Sequence, residues 1–145
     1  MHGGRQGAGT GRVLGIDPGS RRTGLAVSDP LGVTAQGLET FEGGIRRLVE
    51  HIGRLIGEIG IGTVVIGLPV SMSGGETEGA ERSRRLAERV RKAYGVETVL
   101  ADERMTSLEA ERLMRREGRI KSAGDIDRMA AVLILQGFLD GRYGG

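Results

Sequence analysis

The segment TVVIGL, residues 63–68, constrains this chain more than any other, because it is continuously apolar and rich in β-branched side chains. A strand with one wet face alternates apolar and polar residues. One without alternation is covered on both faces, and this segment therefore reads as a central strand with helices on either side. The flanking sequence supplies them. Ile45, Leu48, Val49, Ile52, Leu55, Ile56 and Ile59 recur at helical spacing across residues 43–59, and Gly60 and Gly62 end the pattern. Downstream of a loop at 69–76, a basic helix runs to about Tyr94 and stops at Gly95. Residues 96–101 then form a strand that ends in Asp102-Glu103. Two strands joined by a long helical crossover are parallel.

The first third of the chain has a different rhythm. Val13, Leu14 and Ile16 make a short apolar strand ending at Asp17, and Pro18-Gly19 supplies a turn. Leu25 and Val27 mark a second strand before Asp29-Pro30, and residues 33–41 a third, giving an antiparallel meander. Towards the other end, Thr106 and Glu109 have capping-box spacing for a helix to about Glu117. Ser122 and Asp125 repeat that spacing before a last helix reaching Leu139. The order βββαβαβαα predicts an α/β fold: a five-stranded mixed sheet, three strands in a meander and two parallel, flanked by helices with strand one central. Residues 1–11 are glycine-rich without hydrophobic periodicity and read as a disordered tail; residues 12–141 form one domain, and 142–145 a C-terminal tail.

Composition narrows the chemistry. Cysteine is absent, which excludes disulfides and thiolate metal sites and makes a reducing cytoplasm the simplest compartment. Metal chemistry must use oxygen ligands. The longest apolar runs are far shorter than a membrane span. A net charge of +2 is uninformative by itself, but six basic residues stand between Arg82 and Lys92 against the single acid Glu88. Arg112, Arg115, Arg116, Arg119 and Lys121 form a second basic group. Each cluster alone fits a solvated helix face as well as a nucleic-acid surface.

Three acidic positions can converge. Asp17 ends strand one, Asp102-Glu103 ends the last strand, and Asp125 and Asp127 fall in the first turn of the last helix. Parallel strands one and five present their carboxyl ends at one edge of the sheet, where open α/β sheets bind ligands. A helix crossing that edge adds Asp127. Such carboxylates repel one another unless a divalent cation joins them, and Mg²⁺ or Mn²⁺ suits an all-oxygen site. A pair of ions roughly 4 Å apart is the arrangement that phosphodiester hydrolysis uses. Taken singly the acids are weaker signals: Asp17 reads better as a turn residue, Asp125 as a helix cap and Asp127 as a partner of the helix dipole. Asp102 and Glu103 face opposite ways on a strand, so only one points inward, and Glu103 is the expected one.

Four blocks, GIDPGSRRTGLAVSD (15–29), VIGLPVSMSGGETEG (65–79), DERMTSLEA (102–110) and IDRMAAVLILQGFLD (126–140), occur in this order. In them the chain resembles the YqgF family, RuvX-like nucleases of the ribonuclease-H-like superfamily, associated with Holliday junctions or with the small-subunit ribosomal RNA precursor. The resemblance implies a ribonuclease-H-like fold, with Asp17, Glu103 and Asp127 as catalytic, metal-binding acids and Arg22 and Arg104 either binding the substrate or supporting those acids. The chain departs from the family in the loop after Pro69, where Ser73-Gly74 replaces the usual Asp-Gly.

The function expected from the resemblance is metal-dependent endonucleolytic hydrolysis, with maturation of the pre-16S ribosomal RNA 5′ end preferred. Resolution of branched DNA is the alternative, and a transcription factor that binds nucleic acid without cleaving it belongs to another class. With only two Phe and two Tyr, the chain lacks a stacking platform for unpaired bases, which favours contacts to the phosphate backbone. A homodimer suits a two-fold junction, whereas trimming one RNA end needs only a monomer. An actin-like or sugar-kinase-like phosphotransferase shares the Asp-x-Gly turn but needs two lobes, and 145 residues supply one.

Overall fold

The computed structural model describes residues 11–69, 77–102 and 123–144, together with positions 116 and 118. Its strands are β1 (Arg12–Asp17), β2 (Arg22–Ser28), β3 (Ala35–Glu42), β4 (Ile61–Leu68) and β5 (Glu97–Asp102). Its helices are α1 (Ile45–Leu55), α2 (Glu78–Tyr94) and α3 (Ala123–Gly144). The strands form one sheet in the order β3-β2-β1-β4-β5. β1–β2 and β2–β3 are antiparallel, β1–β4 and β4–β5 parallel, as the meander and crossover patterns predict. The tail expected at 1–11 lies, apart from Gly11, outside the described residues, and so does the helix expected at 106–117 apart from position 116.

Side chains alternate between two cores. Leu14, Ile16, Leu25, Val64 and Ile66 pack on one face with Leu48 and Ile52 of α1 and Leu86 and Val90 of α2. Val13, Ala26 and Val65 pack on the other with Ala131, Ile134, Leu135 and Leu139 of α3. Val64, Val65 and Ile66 are fully buried, which explains why this strand shows no polar alternation. Gln136 ties α3 to the sheet edge: its Oε1 accepts from the Ala35 amide at 2.9 Å, and its Nε2 donates to the Val33 carbonyl at 3.0 Å.

Several boundaries differ from the sequence reading, each for a local reason. β3 begins at Ala35 instead of residue 33, because the Asp29 carboxylate draws the chain into a turn. Its Oδ1 accepts from the amides of Val33 (2.7 Å) and Thr34 (3.0 Å), while Gly32 takes φ 74°. The helix expected over 43–59 is α-helical only to Leu55 and then widens into a π turn, Ile56–Gly60, closed by the Ile61 amide on the Ile56 carbonyl. That turn delivers the chain straight into β4, which starts two residues before Thr63. α3 runs past Leu139 to Gly144, so the segment after residue 141 continues the helix, having no proline to stop it. α2 ends as expected, with Gly95 at φ 65° donating to the Arg91 carbonyl at 2.8 Å. At its start the Thr77 hydroxyl accepts from the Ala80 amide at 3.1 Å.

Candidate functional site

Asp17 is half-buried at the carboxyl end of β1, and strand parity fixes its side. A Cβ built on Gly15 would meet Leu135, so Gly15 faces α3, and Asp17, two residues on, faces the same way. Its partner across the antiparallel ladder is Gly24. The main chain of α3 lies directly on that glycine: a Cβ at position 24 would stand 1.9 Å from the Asp127 carbonyl oxygen. The sheet thus holds the first turns of α3 one cross-strand step from Asp17, a Cα spacing of roughly 4.5–5.5 Å. A strand glycine signals such close backbone approach, and Gly24 is the site-building residue the sequence reading missed.

Arg22, the first residue of β2, orients the second acid. Its Nε donates to Asp127 Oδ2 at 2.8 Å, across 105 residues of sequence. The terminal guanidinium nitrogens make no hydrogen bond among the described residues, and the side chain is 40% exposed against 24% for Asp127. Arg22 can therefore hold Asp127 with one edge and present its other donors to an anion. One turn into the same helix, Arg128 pairs with Asp125, and its aliphatic stem lies over Gly37 of β3. Asp125, in the first turn of α3, thus has a partner on its own helix.

The other expected positions divide. On β5, Leu100 faces the α1–α2 core and Ala101 the α3 core, which puts Asp102 on the face away from Asp17. Glu103 and Arg104 lie outside the described residues, as does the loop holding Ser73 and Gly74. Among the described residues, no three His, Asp or Glu side chains converge as a complete metal site. Asp17 and Asp127 contribute hard oxygen donors on one face, a donor set that matches Mg²⁺ or Mn²⁺. No helix among the described residues is long and apolar enough to cross a membrane.

Comparison with known proteins identifies the family of the chain. A family model described as RuvX, Holliday junction resolvase, matches residues 11–141. A Koribacter versatilis protein named "Putative pre-16S rRNA nuclease" is 44% identical over 135 residues, covering 91% of this chain and 88% of its own length. A Pelotomaculum thermopropionicum protein of the same name is 44% identical over 133 residues, covering 89% and 86%. Among solved structures, RuvC of Thermus thermophilus in complex with a Holliday junction substrate superposes with a TM-score of 0.61 at 18% identity, over 92% of this chain and 96% of that one. That likeness establishes a shared fold.

Proposed function

The chain belongs to the RuvX family, described as Holliday junction resolvases, and on that premise we propose that it is a metal-dependent endonuclease that matures the 5′ end of pre-16S ribosomal RNA. It is a nuclease, a hydrolase acting on ester bonds. The observation that carries the mechanism is the seating of Asp127 on Gly24, opposite Asp17, with Arg22 bonded to its carboxylate. Asp17, Glu103 and Asp127 are the residues that would hold Mg²⁺ or Mn²⁺, in our reading as a pair of ions. When bound there, the metal supplies activation of water and neutralisation of charge at the scissile phosphate. Asp102 stands on the far face, which supports Glu103 as the acid contributed by the end of β5.

The chain's own residues do the rest. Asp17 and Asp127 gather negative charge at one edge of the sheet and fix its position through β1 and α3. Arg22 aims Asp127 and offers guanidinium donors to a phosphate oxygen, and Arg104 is assigned to the same task. Binding through phosphates is consistent with a chain so poor in aromatic residues.

Pre-16S RNA is preferred because the relatives covering nearly the whole chain carry that name. The family description favours a second reading, resolution of branched DNA. Purified protein and its Asp17→Asn variant are compared on precursor ribosomal RNA, duplex RNA and four-way DNA junctions at one salt concentration, with Mg²⁺ or Mn²⁺. Cleavage of the precursor by the wild type alone is expected. Equal cleavage by both proteins would sink the mechanism, and activity confined to junctions would replace the substrate.

A further inference from the structure

On the opposite face of the sheet from Asp127 lies a cleft of about 220 Å³, immediately past Asp17 in the chain. It is bounded by the β1–β2 turn at Ser20, by Gly44 and Ile45 at the start of α1, and by Arg82 and Arg85 of α2, with Thr23 among its lining. Three independent features give it one chemistry. The amino terminus of α1 is bare: Gly44 offers no side-chain cap and the first turn holds no acid, so amides there keep an unanswered positive end. Arg82 and Arg85 have no hydrogen bond or ion pair among the described residues, although Glu88 on the same helix is taken by Arg91 and Lys92. Thr23 is only 3% exposed, yet its hydroxyl has no hydrogen-bond partner among the described residues.

A buried hydroxyl without a partner costs stability and is rarely kept without a reason. An oxyanion in the cleft would answer all three features at once, accepting from the hydroxyl, the helix amides and two guanidiniums. We propose that this cleft holds a backbone phosphate of the substrate strand beside the one being cut. The proposal rests on the nuclease reading and extends it to a second anchoring point. Its position supports a strand phosphate over a free anion, since the turn that walls the cleft is the continuation of the strand bearing Asp17.

The test uses the full chain without divalent metal, so that binding is separated from cleavage. Amide resonances are followed while inorganic phosphate, and separately a short RNA duplex, are titrated into wild type, Thr23→Val and the double variant R82Q/R85Q. The Ile45 and Arg46 amides are expected to shift with both probes. Both variants should bind the duplex more weakly, the double variant by roughly tenfold, with its salt dependence reduced by about one phosphate contact. Thr23→Val should also melt at the wild-type temperature or above, because it removes an unpaired polar group, so its weaker binding cannot stem from unfolding. Duplex affinity within twofold of wild type in both variants overturns the proposal, as does a shift with inorganic phosphate that the duplex fails to produce. Metal-dependent cleavage with unmoved amides refutes the cleft alone. A chain that neither binds nor cleaves nucleic acid refutes the nuclease reading and the strand-phosphate assignment with it.

Discussion

Replacing Gly24 with alanine should separate the site from the fold. The added methyl would stand 1.9 Å from the Asp127 carbonyl oxygen, 2.4 Å from its carbon and 2.9 Å from the Arg128 amide nitrogen, all main-chain atoms that cannot rotate away. Ordinary contact begins near 3.4 Å, so the first turns of α3 must retreat by about 1.5 Å. Overpacking of this kind costs about 1–3 kcal/mol of stability. A displacement of about 1 Å at a reacting group costs on the order of 100-fold in rate, so the loss of cleavage should exceed the loss of stability by far. Gly15→Ala is the control. Its methyl meets the Leu135 side chain at 2.7 Å and the Ala131 carbonyl at 3.2 Å, pressing the same helix about 12 Å further along from Asp127. The assays are urea denaturation, cleavage of the precursor RNA, and Mn²⁺ titration by calorimetry. Gly24→Ala should lose cleavage and Mn²⁺ affinity together while Gly15→Ala loses mainly stability. Cleavage by Gly24→Ala within threefold of wild type, or equal losses in the two variants, would refute the argument that this glycine seats the acid.

Arg22→Ala releases the Asp127 carboxylate from its 2.8 Å bond and should lower cleavage about 10- to 100-fold with little change in the urea midpoint; wild-type rates across a metal titration would contradict this. Ser83, fully buried, donates to the Gly67 carbonyl at 2.7 Å, so Ser83→Ala should lower stability by about 1 kcal/mol at unchanged urea m-value. The Thr34 amide first, and then that of Val33, hold the Asp29 carboxyl below its ordinary 3.8. A folded pKa depressed in this way stabilises above the unfolded value and is lost as pH falls through the folded one. The stability gap between wild type and Asp29→Ala should therefore narrow below pH 3.8, and a gap that widens on acidification in urea melts would refute it.

Periodicity made the sheet legible. The uninterrupted apolar run at 63–68, the heptad-like spacing from Ile45 to Ile59 and the glycine stop at Gly95 each express a local rule, and strand order followed from crossover lengths. What stayed hidden depended on partners distant in sequence. Asp29 shortens β3 through bonds four and five residues away, and no pattern of hydrophobicity records that. The π turn after Leu55 arises where a helix must meet a strand without a loop. At the site, the sequence marked Asp17 and Asp127 as candidates but could not say that one stands across the ladder from the glycine carrying the other. Gly24 was visible as a glycine in an apolar strand, a cue to close approach without the identity of what approaches. Arg82 and Arg85 stood out only as members of a basic helix run that fits a solvated face equally well, and Thr23 gave no cue, since what the three share is the lack of partners among the described residues of the folded chain.

On the proposed reading, the adjacency of Arg22 and Thr23 would let one edge of the sheet engage an extended strand from both of its faces. Successive residues of a strand face opposite ways, so Arg22 reaches Asp127 under α3 while Thr23 floors the cleft under α1 and α2. The turn between β1 and β2 is too tight to let these faces drift apart: a Cβ on Gly19 would stand 2.4 Å from the Arg22 carbonyl. A strand laid over this edge would meet carboxylates and Arg22 on one side of the turn, and amides with two arginines on the other. Charge of opposite sign on the two sides then sets the register, because only a phosphate accompanied by metal is tolerated beside Asp17, whereas a bare phosphate is favoured beside Arg82 and Arg85. On the proposed reading, cutting and holding fall to neighbouring phosphates, and an electrostatic register of this kind needs no base contact.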